Sequence, residues 1–278
     1  MAKKYSKKQW MAKGILALLL LFILAGLAVG FAVTERRKPA EPTTNALSEL
    51  ETEPQTEPPT EAEATAAPEP TTAKAPPVSL PQATDGNPVT VSPDGEHWEL
   101  TLVNLQYRLP EDYKPTLKAA VEGSSVQLDE RVAPFYAEMY AAAKADGCTL
   151  TPYSGYRTYA RQQENFDRKV AYYVSQGLGE TEAIAKTQTR ILPAGASEHN
   201  MGFSMDIVSA SADFISTKEF SWLSAHAHEY GFILRYPENK TDITGVMYEP
   251  WHWRFVGKEA AAEMQKSGQC LEEYLGVA

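Results

Sequence analysis

Cysteine is scarce in this chain of 278 residues, which contains only Cys148 and Cys270. No Cys-x-x-Cys pair occurs, so the sequence excludes a thiolate zinc site and a thioredoxin-like redox motif. The two cysteines could form a disulfide outside the cell, or both could be buried free thiols. The sequence leaves this open because it does not define the distance between their Cα atoms.

Basic residues are concentrated at one end of the chain. Eight lysines and arginines lie in the first 40 residues beside a single acid, Glu35, although the whole chain has a formal net charge of -10. No basic cluster is visible in the later sequence, whereas nucleic-acid binding needs a concentrated basic face. We therefore exclude nucleic acid as a partner.

One long apolar run, residues 14–33, contains no charged residue. At about 1.5 Å per residue, about 20 residues cross the roughly 30 Å hydrocarbon core of a bilayer. Residues 1–13 carry more positive charge than the basic trio at 36–38, which predicts a cytoplasmic N-terminus. A cleaved signal peptide is the alternative, but its apolar region is usually only about 7–15 residues long. We predict an uncleaved transmembrane anchor.

Proline, threonine, glutamate and alanine dominate residues 34–90. Eleven of the 19 prolines lie between Pro39 and Pro88. Such a segment cannot bury enough apolar surface to offset the entropy of ordering, and proline and like charges extend it. We predict a disordered linker that holds a folded domain, residues 91–278, away from the membrane. That length suits one domain with its own core.

Strand and helix patterns are mixed in this domain without the regular alternation of a doubly wound sheet, which predicts an α+β fold. Alternation and β-branched residues predict strands at 98–103, 148–153, 204–208, 232–236 and 251–256. Helices are predicted over 129–147, from about 158 to 176, and over 180–190, 217–230 and 258–266. The first of these would be capped by Asp129 and would end at Gly147, with Pro134 in its first turn.

Three short segments concentrate polar side chains next to glycine or proline: 154–158, 197–206 and 249–254. A hydrolytic zinc site needs three protein ligands and one open position. The second segment offers a histidine and an aspartate seven residues apart, and the third offers another histidine. The helix-borne His-Glu-x-x-His pattern is absent, which excludes that type of zinc peptidase. The spacing alone leaves open a buried histidine that is simply bonded to an aspartate.

Glu249 lies three residues before His252 and is a candidate base for the attacking water. Residues three apart on a regular strand face opposite sides. Because Pro250 should break that regularity, we expect Glu249 at the mouth of the strand and His252 within it.

These segments resemble the VanY-type D-alanyl-D-alanine carboxypeptidases, zinc peptidases that share a fold with Hedgehog N-terminal domains. The family pattern Ser-x-His-x-x-Gly-x-Ala-x-Asp matches residues 197–206 except at Ser204, which replaces the usual alanine. Glu-x-Trp-His matches 249–252, and Ser-Gly-Tyr-Arg matches 154–157. The resemblance covers roughly residues 98–257 and implies a Hedgehog/DD-peptidase-like domain.

The resemblance implies that His199, Asp206 and His252 bind Zn²⁺ and that Glu249 is the catalytic base. A group that only orients His252 is the alternative role for Glu249. Arg157 would stabilise the oxyanion or hold a substrate carboxylate, with a structural salt bridge as the alternative.

The resemblance also assigns residues to the substrate pocket. Three would help to bind the C-terminal end of the peptide: Ser154, Gln162 and Ser197. Tyr156 and Trp251 would form pocket walls. Residues 104–110 and 176–192 are candidate segments for determining how deep and how closed the pocket is.

The implied reaction is the removal of the C-terminal D-alanine from peptidoglycan stem peptides, outside the cytoplasmic membrane of a bacterium. An L,D-carboxypeptidase that trims tetrapeptide to tripeptide shares the same motifs, and a D,D-dipeptidase or an endopeptidase also fits the chemistry. A module that keeps zinc and binds the cell wall without catalysis is a further alternative. Because all three ligand positions and the base position are filled, the sequence favours an enzyme.

Overall fold

The computed structural model describes residues 78, 80–81 and 86–278. All of these belong to one unit, Pro70–Ala278. The predicted anchor at 14–33 and most of the predicted linker at 34–90 lie outside the described residues. Within the described part, none of the helices has the length and apolar character needed to cross a membrane.

The strands form three sheets. The largest has four antiparallel strands in the order β5–β6–β8–β7: β5 (Pro152–Ser154), β6 (Ser204–Ile207), β8 (His252–Phe255) and β7 (Phe232–Leu234). Two small sheets contain parallel β1 (Val89–Thr90) and β2 (Tyr107–Arg108), and antiparallel β3 (Leu117–Ala119) and β4 (Gln127–Asp129).

The α-helices of the described part are α1 (Ala133–Ala145), α2 (Tyr159–Ser175), α3 (Glu180–Gln188), α4 (Lys218–His226), α5 (Thr241–Thr244), α6 (Lys258–Ser267) and α7 (Leu271–Tyr274). Short 3-10 helices cover Trp98–Leu100, Glu198–Asn200, Ala212–Ser216, Ala227–Tyr230 and Glu238–Lys240. This mixture confirms the predicted α+β class.

Strands β6 and β8 separate an apolar layer from a polar layer, because successive side chains on a strand point to opposite faces. One face contributes four residues to the main hydrophobic core: Met205, Ile207, Trp253 and Phe255. Helices cover this face: the ring of Phe135 in α1 lies 4.7 Å from that of Phe255, measured between centroids. The alternate positions hold four buried polar residues: Ser204, Asp206, His252 and Arg254.

Strand register aligns part of this polar layer into a row. Ser154 of β5 pairs with Asp206 of β6, and Asp206 pairs with His252 of β8. Paired residues on neighbouring strands have their side chains close together on one face. The sheet therefore brings together residues from all three motifs.

Two sequence predictions near the start of the domain are wrong. Residues 98–103 do not form a strand; they form a 3-10 helix followed by irregular chain. The reason is that the Arg254 guanidinium binds the carbonyls of Glu99 and Thr101, at 2.7 and 3.0 Å, in place of a neighbouring strand. Asp129 does not cap α1, because its carboxylate binds Arg131 at 2.8 Å and the helix begins later.

The other predicted elements are present with shifted ends. The predicted helix at 217–230 is divided into α4 and a 3-10 turn, and it ends as expected at Gly231, whose φ is +87°. Pro134 lies in the first turn of α1, as predicted. Cys148 and Cys270 are both buried free thiols, which answers the question that the sequence left open.

Gly155 is required by close packing. A Cβ atom at this position would lie 2.3 Å from the backbone carbonyl oxygen of Gln127. We expect Gly155→Ala to lower the free energy of unfolding by about 1–3 kcal/mol, because the backbone must move to relieve the clash. Urea denaturation measures this. Gly179→Ala is the matched control, since nothing lies within 4 Å of its added Cβ. Equal unfolding midpoints for the two variants would contradict the prediction.

Candidate active site

Hydrogen bonds join the first two motifs. The Arg157 N–H donates to the carbonyl of His199 at 2.9 Å, and the Asn200 amide donates to the carbonyl of Arg157 at 2.8 Å. The carbonyl of Gly155 lies 2.7 Å from Nδ1 of His199. The turn at 154–157 and the 3-10 helix Glu198–Asn200 therefore hold His199 over the sheet.

Three buried side chains converge at one point. Oδ1 of Asp206 lies 3.3 Å from Nε2 of His199 and 3.1 Å from Nδ1 of His252. One ligand atom from each of the three residues lies within 4.8 Å of the others. Tetrahedral zinc with ligands at about 2.0–2.1 Å would hold neighbouring donor atoms about 3.3–3.4 Å apart. The two distances from Asp206 are close to this value and the third pair lies within 4.8 Å, so the three residues fit a zinc ion.

The outer hydrogen bonds of both histidines also suit a metal. A carbonyl can only accept, so the Gly155 carbonyl requires a proton on Nδ1 of His199 and leaves Nε2 with a lone pair. The carboxylate of Glu198 lies 3.2 Å from Nε2 of His252 and accepts its proton, so Nδ1 offers a lone pair once the ring is neutral. Such outer partners fix the tautomer and the orientation of metal-binding histidines.

Two of the three ligands are already in the protonation state that a metal requires. Burial, together with the charge of Arg157, lowers the pKa of His199 to about 4, so this ring is neutral at pH 7. Burial alone would raise the pKa of Asp206, but His199, His252 and Arg157 outweigh it and hold the pKa well below its usual range. Burial opposes charging of His252, yet Asp206 and Glu198 raise its pKa to about 9. Zinc must therefore displace a proton from this ring, as metal binding to histidine commonly does.

Glu198 is a site residue that the sequence analysis missed. Its side chain is fully buried, and Oε1 accepts from Arg235 Nε at 2.6 Å and from Arg254 at 3.2 Å. Burial alone would raise the pKa of Glu198, but the two guanidiniums outweigh it and hold the pKa well below its usual range. Glu198 is therefore an ionised acceptor for His252. Its position next to His199 in the motif was the signal available in the sequence.

A turn places Glu249 beside the cluster. The N–H of His252 donates to the carbonyl of Glu249 at 3.1 Å, closing a turn around Pro250 immediately before β8. This confirms the expected break in the strand. Glu249 Oε2 lies 3.9 Å from Nδ1 of His252, and burial raises the pKa of Glu249 to about 7. A carboxyl group with such a pKa can both accept and donate a proton near neutral pH.

Arg157 is both paired and accessible. Its guanidinium donates to Asp206 at 2.6 Å, to Ser154 at 2.9 Å and to Gln162 at 3.3 Å. The side chain is 23% exposed and lines a cavity of about 1040 Å³ above the cluster. The predicted salt bridge exists, and two of the five guanidinium N–H groups remain for a ligand.

The other predicted pocket residues differ in their surroundings. Ser154, Ser197 and Trp251 line the cavity. Gln162 also lines it, but its amide is already bound to the carbonyl of Leu192 at 2.6 Å. Tyr156 is not among the lining residues, and its backbone N–H donates to the carbonyl of Gln127 in β4.

The two segments that were predicted to shape the pocket also differ. None of the residues 104–110 lines the cavity, because they form β2 and its approach. Residues 190–192, which follow α3, do line it.

Comparisons with known proteins agree with this geometry. A family model described as VanY, D-alanyl-D-alanine carboxypeptidase, matches residues 125–258. A D-alanyl-D-alanine carboxypeptidase of Enterococcus faecalis is 41% identical over 182 residues, which are 66% of this chain and 67% of the relative.

Two solved structures are similar to the described domain. The D,D-pentapeptidase VanY of a VanB-type vancomycin-resistance cassette, in complex with Zn(II), is 41% identical, with a TM-score of 0.57 over 64% of this chain and 99% of that chain. The LD-carboxypeptidase LdcB is 35% identical, with a TM-score of 0.58 over 71% of this chain and 93% of that chain.

Glu198 should strengthen zinc binding, because its carboxylate orients the ring of His252. We expect Glu198→Gln to weaken zinc binding by about 10–100-fold, because a neutral amide orients and polarises the imidazole less well. Competition with a fluorescent zinc chelator measures the dissociation constant.

Two variants serve as controls for this prediction. Glu272→Gln disturbs the same buried arginine, Arg235, without touching His252. Ser204→Ala removes a buried hydroxyl that has no hydrogen-bond partner in the described part. Both should bind zinc as the unmodified protein does, whatever they do to stability. A Glu198→Gln protein with unchanged zinc affinity would show that Glu198 serves the fold alone.

Proposed function

The chain belongs to the VanY family of D-alanyl-D-alanine carboxypeptidases, and we propose that it is a zinc-dependent enzyme that removes the C-terminal D-alanine from peptidoglycan stem peptides. The observation that carries this proposal is the convergence of three metal-binding side chains at the cavity that Glu249 and Arg157 also line.

The metal centre is suited to hydrolysis. Three protein donors are the number typical of catalytic zinc sites, whereas structural sites use four. His199, Asp206 and His252 would hold the zinc ion, which would supply a Lewis acid able to acidify water and polarise a carbonyl.

Glu249 would transfer the proton. Its carboxylate takes a proton from the attacking water and returns it to the nitrogen of the departing D-alanine. Its position 3.9 Å from His252 keeps it beside the metal centre without a place among the ligands. Its partial burial, with 14% of the side chain exposed, keeps it in contact with the cavity.

Arg157 and the two serines would hold the substrate. The unused N–H groups of Arg157 point to stabilisation of the negative oxygen that forms during attack. Ser197 lines the cavity, and its hydroxyl has no hydrogen-bond partner in the described part of the chain. We assign it to the terminal carboxylate of the peptide. Ser154 accepts from Nε of Arg157 and keeps the guanidinium in place.

An L,D-carboxypeptidase is the second candidate, since LdcB has 35% sequence identity with this chain. Both reactions would use the same ligands and the same base. They differ in the residue that precedes the cleaved bond. The 41% identity with a D-alanyl-D-alanine carboxypeptidase favours the D,D reaction.

We also propose that residues 14–33 anchor the protein in the cytoplasmic membrane, with residues 1–13 inside the cell and residues 91–278 outside. The charge-free apolar run and the lysines before it support this topology. Residues 34–90 would act as a proline-stiffened spacer that lets the domain reach the cell wall.

Glu249→Gln should abolish most of the activity. We expect the rate of D-alanine release from a stem pentapeptide to fall by about 10²–10⁴-fold, because the amide cannot accept the proton. Mass spectrometry of pentapeptide and tetrapeptide incubated with the detergent-solubilised full chain measures this. Chelation should also stop release, and added zinc should restore it.

The matched control is Glu229→Gln, which changes an exposed glutamate on a 3-10 turn outside the cavity. It should leave the rate unchanged. Loss of one residue from tetrapeptide, with pentapeptide left intact, would establish the L,D reaction instead. A zinc-loaded protein that cuts neither peptide would favour the wall-binding module.

The anchor proposal predicts the location of the full-length chain. Expressed in a bacterium, the protein should remain in the membrane fraction after an alkaline wash and keep its full mass. Replacing Ile23 and Leu24 with arginine should weaken insertion, since each charge costs roughly 2.5–3.5 kcal/mol at the centre of a span. A shortened protein in the medium would instead indicate a cleaved signal peptide.

A further inference from the structure

The cavity continues beyond the metal centre along helix α2. The lining residues on this helix lie on one face, since they recur at intervals of three and four: Arg161, Asn165, Arg168, Lys169 and Tyr172. Arg190, which follows α3, also lines the cavity. We call the part lined by these six residues the basic arm.

Charge is separated along the cavity. Its lining acids, Asp206 and Glu249, both belong to the metal centre, whereas the basic arm has four cationic residues and no acid among those that line it. The whole chain has a formal net charge of -10, so this local positive charge runs against the average. The cavity therefore has a basic stretch that no run of basic residues in the sequence predicted, because helical spacing brings together residues that are separated in the sequence.

Most of these cations lack a carboxylate partner. Arg161 pairs with Glu164 at 2.8 Å, but Arg168 donates only to the neutral amide of Asn165 at 2.6 Å. The Lys169 ammonium lies over the ring of Tyr172, 4.7 Å from its centroid. The guanidinium of Arg190 makes no hydrogen bond or ion pair in the part of the chain that the structure describes, although its charge partly offsets the burial that raises the pKa of Glu249 and so acts on the metal centre. Arg168 and Lys169 are thus the cations available to an anionic ligand away from the metal centre.

The distance along α2 indicates which part of a substrate reaches them. Gln162 contacts Arg157 at the metal centre, and Lys169 lies seven residues further along the helix, or about 10 Å. An extended peptide advances about 3.3–3.6 Å per residue, so three residues cover this distance. In a stem pentapeptide, the third residue before the cleaved bond is glutamate, which carries either a free carboxylate or an amide.

We propose that the basic arm binds the free carboxylate of this glutamate, so that the enzyme prefers non-amidated stem peptides over amidated ones. The inference rests on the proposed function and names its substrate class more narrowly. Exposed ion pairs are individually weak, so two such contacts should produce a preference of about 3–10-fold in kcat/KM.

The test uses the detergent-solubilised full chain and three substrates: a pentapeptide with the free carboxylate, the same peptide with the amide, and an acylated Lys-D-Ala-D-Ala tripeptide that is too short to reach the arm. The free pentapeptide should have the higher kcat/KM at low salt, and the difference should shrink at high ionic strength. Arg168→Gln combined with Lys169→Gln should remove the difference while leaving tripeptide cleavage unchanged.

The charge-matched control combines Lys144→Gln and Lys266→Gln, which removes two cations that do not line the cavity. It should keep the preference. Equal kcat/KM values for the two pentapeptides, with the tripeptide still cut, would overturn the basic-arm proposal and leave the proposed function intact. If none of the three substrates is cut, the proposed function fails and this inference fails with it.

A phosphate group could bind the same cations. Pyrophosphate is therefore added as a competitor against the tripeptide and against the free pentapeptide. Competition limited to the pentapeptide and lost in the Arg168/Lys169 variant supports the basic arm as the anion site. Strong competition without any effect of amidation would assign the arm to phosphate and overturn the carboxylate proposal.

Discussion

The structure depends on one buried ionised carboxylate, Glu198, which lies beneath the metal centre. It accepts hydrogen bonds from Arg235, Arg254 and His252. A second buried acid, Glu272, binds Arg235 through both carboxylate oxygens, so two acids balance two arginines. Removing one partner from such a buried set typically costs about 3–5 kcal/mol, because it leaves an uncompensated charge.

This network connects distant parts of the chain. Arg235 follows β7, Arg254 lies on β8, and Glu272 belongs to the last helix. Arg254 also binds the carbonyls of Glu99 and Thr101 near the start of the domain. Glu198 is the member of this network that contacts His252, so the carboxylate that helps to join the two ends of the domain also orients a metal ligand.

The cavity combines two electrostatic environments on one helix. The N-terminal end of α2 lies near the metal centre, where Arg157 is bound to Asp206. The exposed face further along the helix carries cations that project into the cavity. A substrate lying across both would place the bond to be cleaved at the metal centre. The residues before that bond would lie against the cations of the basic arm. This division fits a peptide that is anionic away from its cleaved end.

Local sequence patterns predicted most helices, because capping residues and glycines act within a few residues of the chain. Gly231 ends its helical segment as expected, and Pro134 occupies a first turn. The strand predicted at 98–103 failed for a tertiary reason: its carbonyls bind a buried arginine from a strand about 150 residues later. Asp129 failed as a cap because Arg131, two residues away, holds its carboxylate.

Three short motifs were enough to predict the residue types of the metal centre, because their ligands and base are unusual in combination. Local patterns also predicted the α+β class, and the charge-free run at 14–33 can be read directly. Only the folded chain shows that Glu198 orients His252, that both cysteines are free, and that Tyr156 does not line the cavity. It alone assembled the basic arm. The physical reason is that these properties depend on distances between side chains far apart in the chain, and folding sets those distances.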